Sequence, residues 1–184
     1  MNELAVGSWR LAGVPPFHRQ PPTANRQLLM NAPILTEPAL LDALEADRKA
    51  GKSVAFANGC FDVLHVGHIR YLQDAARVAD VLVVAVNGDE SVRVLKGEGR
   101  PVMPEDERAE LISAIRGVGY VTIFHEKSPS RLLQTLRPDF QCKGTDYTPD
   151  SVPEAEIVKA YGGKVVIVGD PKDHSTTDML KRMK

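Results

Sequence analysis

The sequence lacks any apolar run near the roughly 20 residues that a membrane-spanning helix needs. It has no excess of charge of one sign: the formal net charge is −1, so no overall basic field points to nucleic acid. It has only two cysteines, Cys60 and Cys142, far apart and outside any C-x-x-C spacing, and a reduced, cytoplasmic protein is the simplest reading. The N-terminus lacks a charged start followed by an apolar stretch, so no signal peptide is read. Internal repeats and low-complexity tracts are absent. What remains is an ordinary composition over 184 residues, 43% hydrophobic and 26% charged. That excludes a fully disordered chain and leaves enough length for one domain with a real core.

Residues 1–33 stand apart. They hold Pro15, Pro16, Pro21, Pro22 and Pro33, and no acidic residue occurs from Leu4 to Thr36. This composition reads as an extended arm or disordered tail, the arm alternative packing on a neighbouring subunit through Trp9 and Phe17. Residues 34–184 read as the folded domain. It opens with a helix over about 37–50, on the helical spacing of Leu40, Leu41 and Leu44, with Gly51 to end it. A core over about 53–184 follows, in which strand and helix patterns alternate. Strands are expected at 53–58, 80–87, 119–124, 139–143 and 164–168. Helices are expected at 66–78, 89–95, 105–116, 129–136, 153–161 and 176–183. Runs such as Val81–Val86 are apolar throughout, as in parallel strands covered on both faces. The alternation predicts an α/β fold, a Rossmann-like doubly wound sheet of about five parallel strands with helices on both faces.

The densest chemistry lies at Asn58–His68, between the first strand and its helix. Ligands bind outside the carboxyl ends of such strands, and a helix N-terminus there offers free N–H groups to an anion. Gly59 permits a tight turn, and Gly67 lets a phosphate approach the backbone. His65 and His68 can donate hydrogen bonds to phosphate oxygens. A zinc site built from Cys60, His65 and His68, with or without Asp62, is an alternative ranked below phosphate binding, because the spacing is not a common zinc pattern.

Three further clusters lie at strand ends or helix starts. Lys96-Gly97-Glu98-Gly99-Arg100-Pro101 is a basic, glycine-containing loop suited to a phosphorylated substrate or a leaving pyrophosphate, and Arg108 on the next helix is within reach of the same region. Lys143-Gly144-Thr145-Asp146-Tyr147 follows a strand and suits a nucleotide or phosphate contact. His174-Ser175-Thr176-Thr177-Asp178 opens the last helix, where its hydroxyls can both cap the helix and hold phosphate oxygens.

Together GCFDVLHVGH (59–68) and STTDMLKR (175–182) resemble the two signatures of the cytidylyltransferase-like, or HxGH, nucleotidyltransferases. The pieces NGCFDVLHVGHIRYL, VAVNGDESV, LKGEGRPV, the Arg108 helix, RPDFQCKGTDY, YGGKVV and STTDMLKR resemble, more narrowly and in order, the heptose 1-phosphate adenylyltransferase family. Thr145 departs from the KGGDY that this family often carries.

The resemblance implies transfer of a nucleotide to D-glycero-D-manno-heptose 1-phosphate, giving ADP-heptose and pyrophosphate for lipopolysaccharide-type glycans. His65, His68 and Lys96 would be catalytic. Gly59, Cys60, Phe61, Gly67, Lys143, Gly144, Asp146, Ser175, Thr176, Thr177 and Arg182 would bind the nucleotide and its phosphates. Asp62, Asn87, Arg100 and Arg108 would face the substrate. Mg²⁺ would be held mainly by the phosphates, since no dedicated carboxylate cluster is evident. The implied partners are ATP (or CTP) and a sugar phosphate, with no nucleic acid and no membrane, in a homodimer. The 52 residues ahead of the core are too few for a kinase half, so a stand-alone transferase working after a separate sugar kinase is expected. The alternatives are a cytidylyltransferase for glycerol 3-phosphate or a related polyol phosphate, and a non-catalytic nucleotide- or zinc-binding module.

Overall fold

The computed structural model describes residues 31–170. The expected arm up to Met30 and the expected last helix, with Ser175, Thr176, Thr177 and Arg182, lie outside the described residues. Five strands, β1 (Val54–Gly59), β2 (Val81–Asn87), β3 (Tyr120–Phe124), β4 (Phe140–Lys143) and β5 (Lys164–Ile167), form one all-parallel sheet in the order β3-β2-β1-β4-β5. The apolar run of β2 is buried at all seven positions, because it is paired on both edges and covered on both faces.

The helices are α1 (Glu37–Lys49), α2 (Val66–Ala75), α3 (Asp89–Lys96), α4 (Glu105–Ser113), α5 (Ser130–Leu136) and α6 (Ala155–Ala160). Side chains alternate along each strand, and the alternation sorts the helices into two layers. Ala55 and Ala57 of β1 and Leu82, Val84 and Val86 of β2 pack with Leu72 and Ala75 of α2 and Ala109 and Ile112 of α4. Val54 and Phe56, with Val83 and Ala85, pack with Leu40 and Leu44 of α1, Leu132, Leu133 and Leu136 of α5, and Val158 of α6. The expected doubly wound fold is therefore the one found, with short strands and helices close to the sequence reading. A 3-10 turn at Pro149–Ser151, ahead of α6, was not expected.

The chain runs outward from β1 through β2 to β3, then returns to the other side of β1 for β4. At this reversal the connections leaving β1 and β4 diverge, opening the crevice in which α/β sheets bind ligands. The outer edge of β3 is partly covered. Leu35 N–H donates to Val121 O at 2.8 Å, and Val121 N–H to Pro33 O at 3.0 Å. Ala32 and Pro33, read from the sequence as the end of the arm, thus lie with the sheet domain. No helix of the described residues is long and apolar enough to cross a membrane.

Phe56 is fully buried in the central strand. Phe56→Ala is expected to lower unfolding free energy by about 3–5 kcal/mol, through lost burial and the cavity left behind. Val94→Ala, at a position 51% exposed, is expected to cost under about 0.5 kcal/mol. Urea denaturation of the two variants checks the pair.

Candidate active site

The turn after β1 is shaped by its own side chains. Phe61 sits in the left-handed region at φ 47°, and its ring folds back beneath Gly59, where a Cβ would stand 3.0 Å from a ring atom. A side chain at position 59 would press on the Phe61 ring, whereas Gly59 itself ends β1 without a positive φ. Asp62 follows, 2% exposed. Its carboxylate is ion-paired with the Arg100 guanidinium and accepts the N–H groups of Val102 at 2.6 Å and Met103 at 3.3 Å.

His65 is the N-cap of α2 and His68 lies in its first turn. The two rings stack, with centroids 3.8 Å apart and planes 24° from parallel, and the Phe61 ring meets His68 edge-on at 5.5 Å. His68 Nδ1 accepts the His65 N–H at 3.4 Å. An accepting Nδ1 puts the proton of the neutral ring on Nε2 and makes that atom the donor. Burial, then the neighbouring charges of His65 and Lys96, push the His68 pKa down to about 4. At neutral pH His68 is thus an uncharged donor whose tautomer is set by the backbone. Burial also raises the Cys60 thiol above its ordinary range, against the pull of Lys96 and Arg108, so it is not primed as a thiolate.

Arg108, expected to reach the substrate, is placed otherwise: it is fully buried and does not line the cleft. Its guanidinium donates to Asp89 Oδ1 at 2.7 Å, Met103 O at 3.0 Å and Cys60 O at 2.5 Å. Together these bonds join the turn after β1 to the start of α3 and the loop before α4. Arg108 therefore positions the site, because its donors are spent on the chain. Arg100, 16% exposed, is half committed to Asp62 yet still reaches the cleft. Lys96 ends α3, and Gly97 and Gly99 follow at φ 92° and 75°, conformations that favour glycine.

The end of β4 carries a second network. Lys143 Nζ donates to Asn58 Oδ1 at 3.1 Å and pairs with Glu154 at 3.2 Å. Glu154 also accepts from Gln141 Nε2 and from Ser128 Oγ, each at 3.3 Å. Tyr71 of α2 donates to Cys142 O at 2.8 Å, tying the helix to β4 beside the turn. Asn87, at the end of β2, bonds Ser91 Oγ at 2.8 Å, which in turn bonds Glu126 O.

These elements enclose a cleft of about 700 Å³ at the carboxyl ends of β1 and β4. His65, His68 and Lys96 line it together. Gly59, Cys60, Phe61 and Gly67 line it from the turn, and Lys143, Gly144 and Asp146 from beyond β4. Asp62, Asn87 and Arg100 also reach it. Sequence reasoning missed Lys127 and Ser128, Tyr71, and Glu154 in its walls. The first two follow β3, so the strand-end rule would have found them. Glu154 gave no signal, lying in a loop between Pro153 and α6.

No group of three His, Cys, Asp or Glu among the described residues is placed to hold a metal ion, so the zinc alternative finds no ligand set there. The chemistry on offer is anion binding at one wall, by the α2 N-terminus, His68 and Lys96.

Comparison with known proteins agrees with this architecture. The chain is 44% identical to the bifunctional protein HldE of Syntrophotalea carbinolica over 160 residues, 87% of this chain and 33% of that protein. It is 46% identical to the bifunctional protein HldE of Geobacter metallireducens over 144 residues, 78% of this chain and 29% of that protein. The chain thus spans about a third of the length of the curated relatives it matches. A solved structure, the lipopolysaccharide core biosynthesis protein from Thermoplasma volcanium, superposes with a TM-score of 0.57 at 30% identity, covering 66% of this chain and 100% of that one. The cytidylyltransferase-like family model matches residues 56–182, from the middle of β1 through both motifs. The chain belongs to the cytidylyltransferase-like family.

Proposed function

We propose that this chain transfers a nucleotidyl group from a nucleoside triphosphate to a sugar 1-phosphate, and that the preferred pair is ATP and D-glycero-D-manno-heptose 1-phosphate. The observation that carries the reading is the stacked His65–His68 pair at the N-terminus of α2, sharing one cleft with Lys96. Family membership and relatives named HldE support the class of reaction. The lipopolysaccharide title of the solved neighbour supports a sugar substrate of this kind.

The chemistry asks little of a base. A phosphate oxygen of the sugar phosphate, already an anion, forms a bond to the α-phosphorus. The bond from that phosphorus to the bridging oxygen breaks, and pyrophosphate leaves with the electron pair. Catalysis then rests on alignment and on charge stabilisation in the transition state. The α2 amides and the Nε2–H of His68 are donors aimed at phosphate oxygens without a change of protonation. Lys96 adds a full positive charge, on the α-phosphate or the acceptor phosphate. Asp62 and Asp89 are tied to Arg100 and Arg108, which fits Mg²⁺ arriving on the phosphates of the nucleotide to neutralise them. The same proposal has the last helix, with Ser175, Thr176, Thr177 and Arg182, receiving the β- and γ-phosphates. It also includes a homodimer, a cytoplasmic setting, and a phosphorylating reaction upstream that supplies the sugar 1-phosphate.

Purified protein offered ATP, CTP or GTP with heptose 1-phosphate or glycerol 3-phosphate is expected to release pyrophosphate only from ATP with the heptose. Release from CTP with glycerol 3-phosphate alone would move the assignment to a polyol phosphate cytidylyltransferase. No release from any pair would end the catalytic reading. In the productive pair, His68→Ala is expected to cut turnover at least about a hundredfold, the loss typical of a preorganised donor. Near-normal turnover removes His68 from the mechanism.

The depressed pKa of His68 carries a stability signature. The unfolded ring takes up a proton as pH falls below its ordinary 6.5, whereas the folded ring resists until about 4. Within that window the unfolded state holds more protons, so stability falls as pH falls. Between pH 6.5 and 4.5, His68→Asn is expected to lose less melting temperature than the unsubstituted protein. Equal losses in a thermal melt series would show that burial does not hold the ring neutral.

A further inference from the structure

The two ends of the cleft differ in how their charge is compensated. At the α2 end, Lys96 is exposed on the last turn of α3 and has no carboxylate partner among the described residues. At the β4 end, Lys143 is almost buried, its side chain 11% exposed, and is paired with the Glu154 carboxylate, itself 6% exposed. Sequence reading assigned Lys143 to a nucleotide or phosphate contact. The pairing changes what that lysine can do.

A phosphate brought to Lys143 would meet a cation already neutralised and a carboxylate beside it, both poorly hydrated. Repulsion from Glu154 would offset the attraction to Lys143 at nearly the same distance. The pair does offer a donor and an acceptor side by side. An ammonium has three donors, of which Asn58 Oδ1 and Glu154 Oε2 take two among the described residues. A carboxylate accepts about four hydrogen bonds, and Glu154 accepts from Lys143, Gln141 and Ser128. Among the described residues one donor and one acceptor remain for hydrogen bonding, with the Tyr147 ring 5.7 Å from the ammonium, and all three residues line the cleft.

We infer that the Lys143–Glu154 pair is a recognition site for a vicinal diol, with Lys143 donating to one hydroxyl and Glu154 accepting from its neighbour. Glu154 is the specificity-determining residue, because its charge converts a phosphate-attracting lysine into half of a neutral, directional pair. The diol has two sources in the proposed reaction, the ribose of the nucleotide and the acceptor sugar. The site rests on the reading of this cleft as a nucleotidyl-transfer site, but its test does not require turnover.

Titration calorimetry on the full chain would compare ATP with inorganic tripolyphosphate, which has the charge and no diol, in the unsubstituted protein and in Glu154→Gln. The substitution preserves shape and removes the charge. Weakening of ATP by about tenfold or more, the range for a hydrogen bond to a charged group, with tripolyphosphate unchanged within twofold, supports the site and assigns the ribose. 2′,3′-DideoxyATP should then bind the unsubstituted protein as weakly as ATP binds the variant. Unchanged ATP and tripolyphosphate with about tenfold weaker binding of heptose 1-phosphate in the same calorimetry supports the site and assigns the acceptor. Tighter tripolyphosphate in Glu154→Gln would show Lys143 freed to bind phosphate and would overturn the inference. So would an equal change for ATP and tripolyphosphate, or no change for any ligand. Lys143→Met serves as a second variant, expected to weaken the same diol ligand and spare tripolyphosphate; weaker tripolyphosphate binding overturns the inference. A protein that binds ATP yet turns over no substrate pair would defeat the proposed reaction while leaving the ATP comparison intact.

Discussion

The geometry of the cleft depends on two buried charges that interlock three separate segments. Arg108, with no exposed surface, holds Asp89, Met103 O and Cys60 O. Asp62, almost as buried, holds Arg100 and the N–H groups of Val102 and Met103. Each ion satisfies the backbone of a segment that the other also touches. A buried charge left without its partner costs several kcal/mol, so neither bond set can open alone. The turn after β1, the start of α3 and the loop before α4 therefore hold one arrangement, and Lys96 and the histidine pair face the same space because of it.

That rigidity matters for the chemistry proposed. A transfer that needs no general base must gain its rate from donors already in position. The N–H of His65 orients His68, and burial keeps the His68 ring neutral. The ring is thus a donor before any phosphate arrives. Lys96, by contrast, is an exposed side chain at a helix end, followed by Gly97 and Gly99 at positive φ. A fixed wall and one exposed cation suit a reaction in which charge migrates along a line of phosphorus and oxygen atoms.

Much of the site was legible along the chain because it clusters in sequence. The turn Asn58–His68 carries both histidines within one strand-to-helix junction, and strand-end placement is a local property that periodicity reveals. Lys96 and Lys143 stand out for the same reason. Arg108 was legible as a charged helix residue near the site, but not as buried, since helical spacing says which face it shares and nothing about what closes over it. Asp62 could be read as ligand-binding or structural until Arg100, 38 residues away, was seen beside it. Gly59 looked like a turn glycine, and only the position of the Phe61 ring shows what a side chain there would press against.

The sequence by itself determined the alternation of strands and helices, the parallel sheet, and the identity of the motifs that place this chain in its family. Those properties follow from local pattern: apolar runs, helical spacing, and polar residues at strand ends. Tertiary structure alone decided which charges cancel. Glu154 lies 11 residues beyond Lys143, yet the segment that leaves β4 folds back before α6 and sets the two 3.2 Å apart. Electrostatic energy depends on distance in space and on the water excluded between groups. A lysine read as a phosphate ligand from its neighbours in sequence therefore became half of a neutral pair once folding brought Glu154 to it.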